Sequence, residues 1–191
     1  MLHHKLEGII IKIAAYKEYD RLITFFSPLD GIMRVIGKGV RRPGSQRSYH
    51  LDLFNKVDVE LEASGKTSLL WYLREIHTRE HYKNIKKEPW RFGCASIITL
   101  FVGRMVPEGA PHQAELYELM IQAFDALNTI ENANPSATVF TFLIKAVKLL
   151  GYLEHTLKPT MLETELLAQL DDLDPQFTLQ ARRTLSIFSS L

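Results

Sequence analysis

The sequence predicts an α+β chain: a small five-stranded barrel over residues 1–80, then a helical domain over 81–191. Three observations carry this. Between Leu6 and His77, β-branched and aromatic runs recur with turn signals about every ten residues, the rhythm of a small antiparallel barrel or sandwich. Beyond His77, apolar residues recur at three- and four-residue steps, bounded by helix-capping residues. Charge divides the same way: residues 1–88 hold 16 lysines and arginines against 11 acids, and residues 89–191 hold 7 against 11. A net charge of +1 therefore hides a basic first half, which is where a polyanion surface is expected.

The strands follow in order. Leu6 to Ala15 is isoleucine-rich and β-branched, with Gly8 marking a bulge or tight bend. Tyr16 to Asp20 is a polar turn, and Arg21 to Ser27 (RLITFFS) is the second strand. Of Phe25 and Phe26, at least one belongs in the core, because neighbours on a strand face opposite ways. Asp30-Gly31 closes a hairpin turn before a third strand, Ile32 to Lys38. Leu51 to Ala63 is the fourth; from Val57 on it alternates Val57, Val59 and Leu61 with Asp58, Glu60 and Glu62, one apolar face against one acidic face. Leu69 to His77 is the fifth. An oligonucleotide/oligosaccharide-binding (OB) barrel has five strands and closes its own edges. An SH3-like barrel is the alternative, because the link between the third and fourth strands is rich in glycine and proline.

The helices follow. Thr78 to Trp90 is a charged connector or a short first helix. Phe92 to Val106 sets Ala95, Ile98, Phe101, Val102 and Met105 on one face, and Pro107 and Gly109 stop it. Pro111 opens a second helix with Leu116, Met120, Ile121, Phe124 and Leu127 inward. Asn134-Pro135 caps a third, burying Val139, Phe140, Leu143, Ala146, Val147 and Leu150, with Gly151 past its end. Two shorter helices are expected around Leu162–Leu170 and after Asp174-Pro175.

The stretch Gly31–Arg47 carries the functional signal. It contains Arg34, Lys38, Arg41, Arg42 and Arg47 and no acid, so the sequence offers these cations no local counter-charge. Set among Gly37, Gly39, Pro43 and Gly44, they form a cationic loop suited to phosphates. Aromatic residues interleave with cations nearby, the pairing used by single-strand binders. Arg21 joins the expected contact set, with Tyr16 and Tyr49 (and Tyr19 in the same turn) as stacking rings. Gly31 and Gly37-Lys38 do not make a phosphate-binding P-loop: five residues separate the glycines, and Gly39 stands where Ser or Thr is needed.

Other chemistry is sparse. Cys94 is alone, in an apolar run, and reads as a buried inert thiol. His77 and His81 are four apart but lack the Glu of an HExxH site and further ligands nearby, and the acids between Glu163 and Asp174 read as a solvated face, so neither a metal nor a cofactor is expected. No nucleophile–base order stands out, which favours a non-enzyme. No signal-peptide pattern and no run of 18 apolar residues is seen, so a cytoplasmic protein without a membrane partner is expected.

Taken together, Gly8-Ile9-Ile10-Ile11-Lys12, Tyr16-x-Glu18-x-Asp20, Gly31 and Lys38-Gly39-Val40-Arg41-Arg42 with Ser45 resemble the N-terminal domain of the RecO family of recombination mediators. Val106-Pro107-Glu108-Gly109, a helix from about Glu115-Leu116, and Leu149-Leu150-Gly151-Tyr152 are similar to that family's helical domain. The resemblance implies an OB-fold followed by helices. It also implies a role in recombinational repair: binding of single- and double-stranded DNA, annealing of complementary strands, and work with RecR to load RecA onto DNA coated by single-strand-binding protein (SSB). A cytoplasmic, nucleoid-associated place in a bacterial cell goes with it. The alternative is an adaptor, with Lys145, Lys148, Arg182 and Arg183 around an apolar groove that captures the acidic-hydrophobic SSB tail. Many family members carry four cysteines after the Leu-Gly-Tyr motif; Leu153 to Leu162 has none, so zinc is not carried over. The chain is also shorter than is usual in the family.

Overall fold

The computed structural model describes residues 2–63, 70–129 and 134–151. Its strands are β1 (Leu2–Ala15), β2 (Arg21–Ser27), β3 (Gly31–Gly37), β4 (Lys56–Ala63) and β5 (Trp71–Glu80), with a 3₁₀ turn at Gln46–His50. They close into a barrel in the order β1-β2-β3-β5-β4. All neighbours are antiparallel except β3 and β5, which run parallel through Val35↔Trp71 and Ile36↔Tyr72. That order is the OB arrangement and decides against the SH3-like alternative.

One long strand closes the barrel. The first half of β1 pairs with β4, from Leu2↔Ala63 to Ile9↔Lys56, and its second half pairs with β2, from Ile9↔Phe26 to Ala15↔Arg21. The two pairings meet at Ile9, and the bulge follows between Ile10 and Lys12, not at Gly8. Gly8 has a different reason to be glycine: a Cβ there would stand 2.8 Å from the Phe26 carbonyl oxygen. The first four residues of β1 escaped the sequence reading because His3, His4 and Lys5 interrupt its apolar run.

β4 begins at Lys56, five residues later than expected. Leu51 and Phe54 are buried, as strand residues would be, but they belong to a tight connection. Phe54 sits at φ 69°, its N–H donates to the Ile10 carbonyl (2.9 Å), and the Asn55 carbonyl accepts from Ile10 (3.0 Å). From Val57 to Ala63 the inward alternation is as expected. The barrel core joins Leu6, Ile10, Ile23, Phe25, Val35, Val57, Val59, Leu61, Leu73 and Ile76, with Val40 and Leu51 entering from the connection. Phe25 and Phe26 are both fully buried, and Phe26 packs on Tyr117 with ring centroids 5.7 Å apart.

The helices are α1 (Lys83–Lys87), α2 (Pro89–Met105), α3 (Ala114–Asn128) and α4 (Pro135–Leu149). Two compact units result: Met1–His81 with Val102–Tyr117, and Tyr82–Phe101 with the residues from Glu118 on. Residues 102–117 thus group with the barrel. There the Gly109 N–H donates to Ile32 (3.0 Å), His112 to Leu29 (3.3 Å) and Gln113 to Pro28 (2.8 Å). Glu108 also bridges to Ile32 in parallel. This pairing holds residues 107–113 in a non-helical, turning path, with Gly109 at φ 71° and His112 at φ 60°, and delays α3 to Ala114, three residues past the expected start at Pro111. Tyr117 Oη donates to Glu7 Oε1 (3.1 Å) in the same unit.

In the second unit Tyr82 meets Phe124 edge-on at 5.3 Å, and Phe101 meets Phe142 at 6.0 Å. α2 buries Cys94, Ala95, Ile97, Ile98, Thr99, Phe101 and Val102, which is more than one stripe. Buried Arg91 donates to the Leu127 and Thr129 carbonyls at 2.8 Å and pairs with Glu88, so a cation caps the C-terminal end of α3. Asn134 accepts from the Ala137 N–H at 3.1 Å, the predicted N-cap, and Gly151 ends α4 at φ 78°. α4 buries Phe142, while Phe140 and Leu150 are only half-buried, one step of rotation from the expected face. The two further helices expected after residue 160 lie outside the described residues.

Candidate nucleic-acid interface

The cationic loop is built on the end of β3. Gly37 is packed against Val40 and Ile23, leaving room for no larger residue without displacement (Cβ contacts of 3.0 Å). Val40, 2% exposed, plugs into the core and holds the loop to the barrel. Two turns then carry the chain outward: the Arg42 N–H donates to Gly39 and Ser45 to Arg42, both at 3.1 Å. The Ser48 N–H and hydroxyl donate to the Ser45 carbonyl, at 3.2 and 2.6 Å, starting the 3₁₀ turn.

The loop is fastened to the turn between β1 and β2. Asp20 Oδ1 accepts from the Gly39 N–H at 2.8 Å, and the Tyr19 carbonyl accepts from Arg41 at 3.0 Å. The turn is itself closed by Tyr16 N–H to the Asp20 carbonyl (3.2 Å). Two segments 19 residues apart therefore form one surface, and the acid between them is spent on a backbone amide.

Cations and rings interleave on that surface. Lys38 Nζ stands 3.9 Å from the Tyr72 ring centroid, the Arg42 guanidinium 5.6 Å from Tyr19, and Lys17 Nζ 5.6 Å from Tyr16. Tyr16 is 48% and Tyr19 41% exposed, so each keeps ring surface for a base. Lys17, Lys38, Arg41 and Arg42 are exposed and form no ion pair among the described residues. The outer side of β1 and β4 differs: Glu60 pairs with Lys5, Asp58 with Arg79 and Glu7 with Lys56. Acids on that side are paired with cations, whereas at the loop Lys17, Lys38, Arg41 and Arg42 outnumber Glu18 and Asp20 and leave a net positive potential.

The other expected residues fall elsewhere. Arg34 is exposed on β3 but pairs with Glu108 at 3.3 Å, so the absence of acids within Gly31–Arg47 did not mean absence of a counter-charge. Arg21, half-buried, lies opposite Gly37 at the loop base. Arg47 is half-buried, with Nη1 donating to the Leu73 carbonyl (3.0 Å) and Nη2 to the Lys38 carbonyl (2.9 Å). Tyr49 stands on the 3₁₀ turn, 79% exposed. The turn is tied to β5 by His50, whose Nδ1 accepts from the Thr78 N–H at 3.3 Å and lies 3.0 Å from Thr78 Oγ1. Burial, with His77 and His81 adding to it, holds His50 below the usual histidine pKa.

Sequence reasoning missed Tyr72 and the anchoring role of Asp20. Tyr72 reaches the loop only through the parallel β3–β5 contact, which no local pattern announces. Asp20 was part of a recognisable motif, but its partner is a backbone N–H. Lys145 and Lys148 are exposed on α4, and Lys145 borders a groove of about 400 Å³ between α3 and α4, lined by Leu119, Ala123 and Phe142 and also by polar Gln122, Thr138 and Thr141. Arg182 and Arg183 lie outside the described residues. Cys94 is buried and its thiol is pushed up to about 12 by burial.

The family described as recombination protein O N terminal matches residues 1–82, and recombination protein O C terminal matches residues 87–153. Among curated relatives, a DNA repair protein RecO of Syntrophobacter fumaroxidans is 29% identical over 78% of this chain and 57% of its own length. The proteins of that name from Desulfitobacterium hafniense and Mesoplasma florum are each 27% identical, over 76% and 77% of this chain and 51% and 54% of their own lengths. The chain thus spans between half and three-fifths of the length of these relatives. No helix among the described residues is long and apolar enough to cross a membrane.

Proposed function

The chain belongs to the recombination protein O family, and from that premise we propose that it binds DNA in recombinational repair, through the loop surface of its barrel. The observation that carries this is the interleaving of Lys17, Lys38, Arg41 and Arg42 with the rings of Tyr16, Tyr19 and Tyr72. Cations on a fixed loop take phosphates without reading sequence, and exposed rings stack on unpaired bases. Arg21 and Tyr49 extend the surface on either side. This combination suits single strands best, with duplex binding through the phosphates alone.

Annealing of complementary strands follows from the same chemistry, because neutralised phosphates let two strands approach. Action with RecR to load RecA onto SSB-coated DNA is part of the proposal through the family. So is a cytoplasmic, nucleoid-associated setting. In this role the protein binds and pairs strands and makes or breaks no covalent bond.

The test is fluorescence anisotropy with a labelled single-stranded oligonucleotide across a salt series. With four cations engaged, log affinity falls against log salt with a slope of roughly −3. A flat response, or wild-type affinity in an Arg41→Ala/Arg42→Ala double variant, refutes the assignment.

The groove between α3 and α4, part apolar and part polar with Lys145 at its border, favours a second activity: capture of the acidic-hydrophobic SSB tail. Calorimetric titration with such a peptide tests it, and loss of binding in Lys145→Ala is the expected result. Peptide binding without DNA binding would favour the pure adaptor.

A further inference from the structure

Resting on the DNA-contact reading above, we infer that Arg47 is a positioning residue and not a phosphate ligand: its guanidinium is the clasp that holds the cationic loop in its binding shape. The loop leaves the barrel at Lys38 and returns at Arg47. Across that mouth, Nη2 donates to the Lys38 carbonyl at 2.9 Å and Nη1 to the Leu73 carbonyl at 3.0 Å. A planar guanidinium holds two donor nitrogens at a fixed spacing, so it can bond two separate carbonyls with less ordering than a single flexible ammonium needs.

The two carbonyls explain why a clasp is needed there. The parallel ladder of β3 and β5 ends at Ile36↔Tyr72. Leu73 lies one residue and Lys38 two residues past that ladder, and Arg47 supplies donors to their carbonyls where the ladder has stopped. The clasp also sets the cation–ring pair, because Lys38 and Tyr72, 3.9 Å apart, each stand on or next to a bonded residue. The half-buried Arg47 side chain contrasts with Arg41 and Arg42, which are exposed and whose backbone amides, not guanidinium groups, hold them in place. The loop cations thus divide by role: those at 38, 41 and 42 face solvent, and the one at 47 faces the chain.

Arg47→Lys separates the roles, because it keeps the charge and loses the fork. The measurements are anisotropy with a labelled single-stranded oligonucleotide over a salt series, and amide hydrogen exchange by NMR, on the full chain. Arg41→Ala should weaken binding and flatten the log–log slope by about 0.7. Arg47→Lys should weaken binding about fivefold with the slope unchanged, because fewer molecules hold the competent loop. The Gly39, Arg41 and Arg42 amides should exchange about tenfold faster in that variant. Wild-type affinity and exchange in Arg47→Lys would overturn the inference, as would an Arg47→Ala variant that flattens the slope as Arg41→Ala does. Should the wild type bind no DNA, the DNA reading fails, and exchange alone decides the clasp: faster exchange in Arg47→Lys upholds it and unchanged rates refute it.

Discussion

Gly31 is the position where one methyl group should do the most damage. It sits at φ 65° in the turn between β2 and β3, and a Cβ there would lie 2.2 Å from the Ala110 carbonyl oxygen, where real Cβ atoms essentially never come under 3.0 Å. Ala110 belongs to the non-helical segment bonded to Pro28, Leu29 and Ile32, so the backbone must retreat by at least about 0.8 Å and stretch those bonds beyond useful length. Three backbone bonds at about 0.7 kcal/mol each, plus about 1 kcal/mol for alanine at positive φ, give a loss of about 3 kcal/mol. Gly44→Ala is the control: it has φ 81° and nothing within 4 Å, so it should cost only about 1 kcal/mol. In urea at an m-value of about 2 kcal/mol/M, Gly31→Ala should lower the midpoint by roughly 1.5 M and Gly44→Ala by roughly 0.5 M. Hydrogen exchange should show lost protection at Gly109, His112 and Gln113 in the first variant alone. Equal midpoints for the two variants would refute the reasoning, since the clash is all that separates them.

Asp20→Ala tests anchoring against simple electrostatics: removing an acid beside the cations should raise DNA affinity, but losing the Gly39 acceptor should lower it, and a net fall of about threefold in anisotropy titrations is expected. A rise would refute the anchor. His50 gives a pH dependence. Its folded-state pKa lies below its unfolded value, so the unfolded chain binds more protons and this contribution to stability is lost as pH falls below about 6.5. The thermal midpoint should therefore drop less between pH 7.5 and 5.5 in His50→Gln than in the wild type, and parallel curves would refute this. Cys94, pushed up to about 12, should resist iodoacetamide in the native protein at pH 8 and react on denaturation; rapid native labelling would refute its burial.

Much of the fold was legible locally because its causes are local. The alternation Val57, Val59, Leu61 names a half-buried strand wherever it occurs, and Asn134-Pro135 and Gly151 act on backbone groups within a turn of themselves. Errors arose where burial had a non-local cause. Leu51 and Phe54 are buried in a connection, where Leu51 enters the barrel core, and belong to no strand. Residues 111–113 stay out of the helix because the Leu29 and Pro28 carbonyls take the His112 and Gln113 amides.

The candidate site divides along the same line. By itself the sequence determined that a cationic, glycine-rich loop follows the third strand and that tyrosines lie near it, since composition and order need no fold. Only the tertiary structure decided which cations are available. Arg34 meets Glu108 and Arg47 meets carbonyls at Lys38 and Leu73, while Lys38 and Arg42, each beside a tyrosine ring, and Arg41 stay exposed. Counter-charges, acceptors and rings act across a few ångströms of space, and closing a barrel brings into that range residues that the chain itself holds far apart.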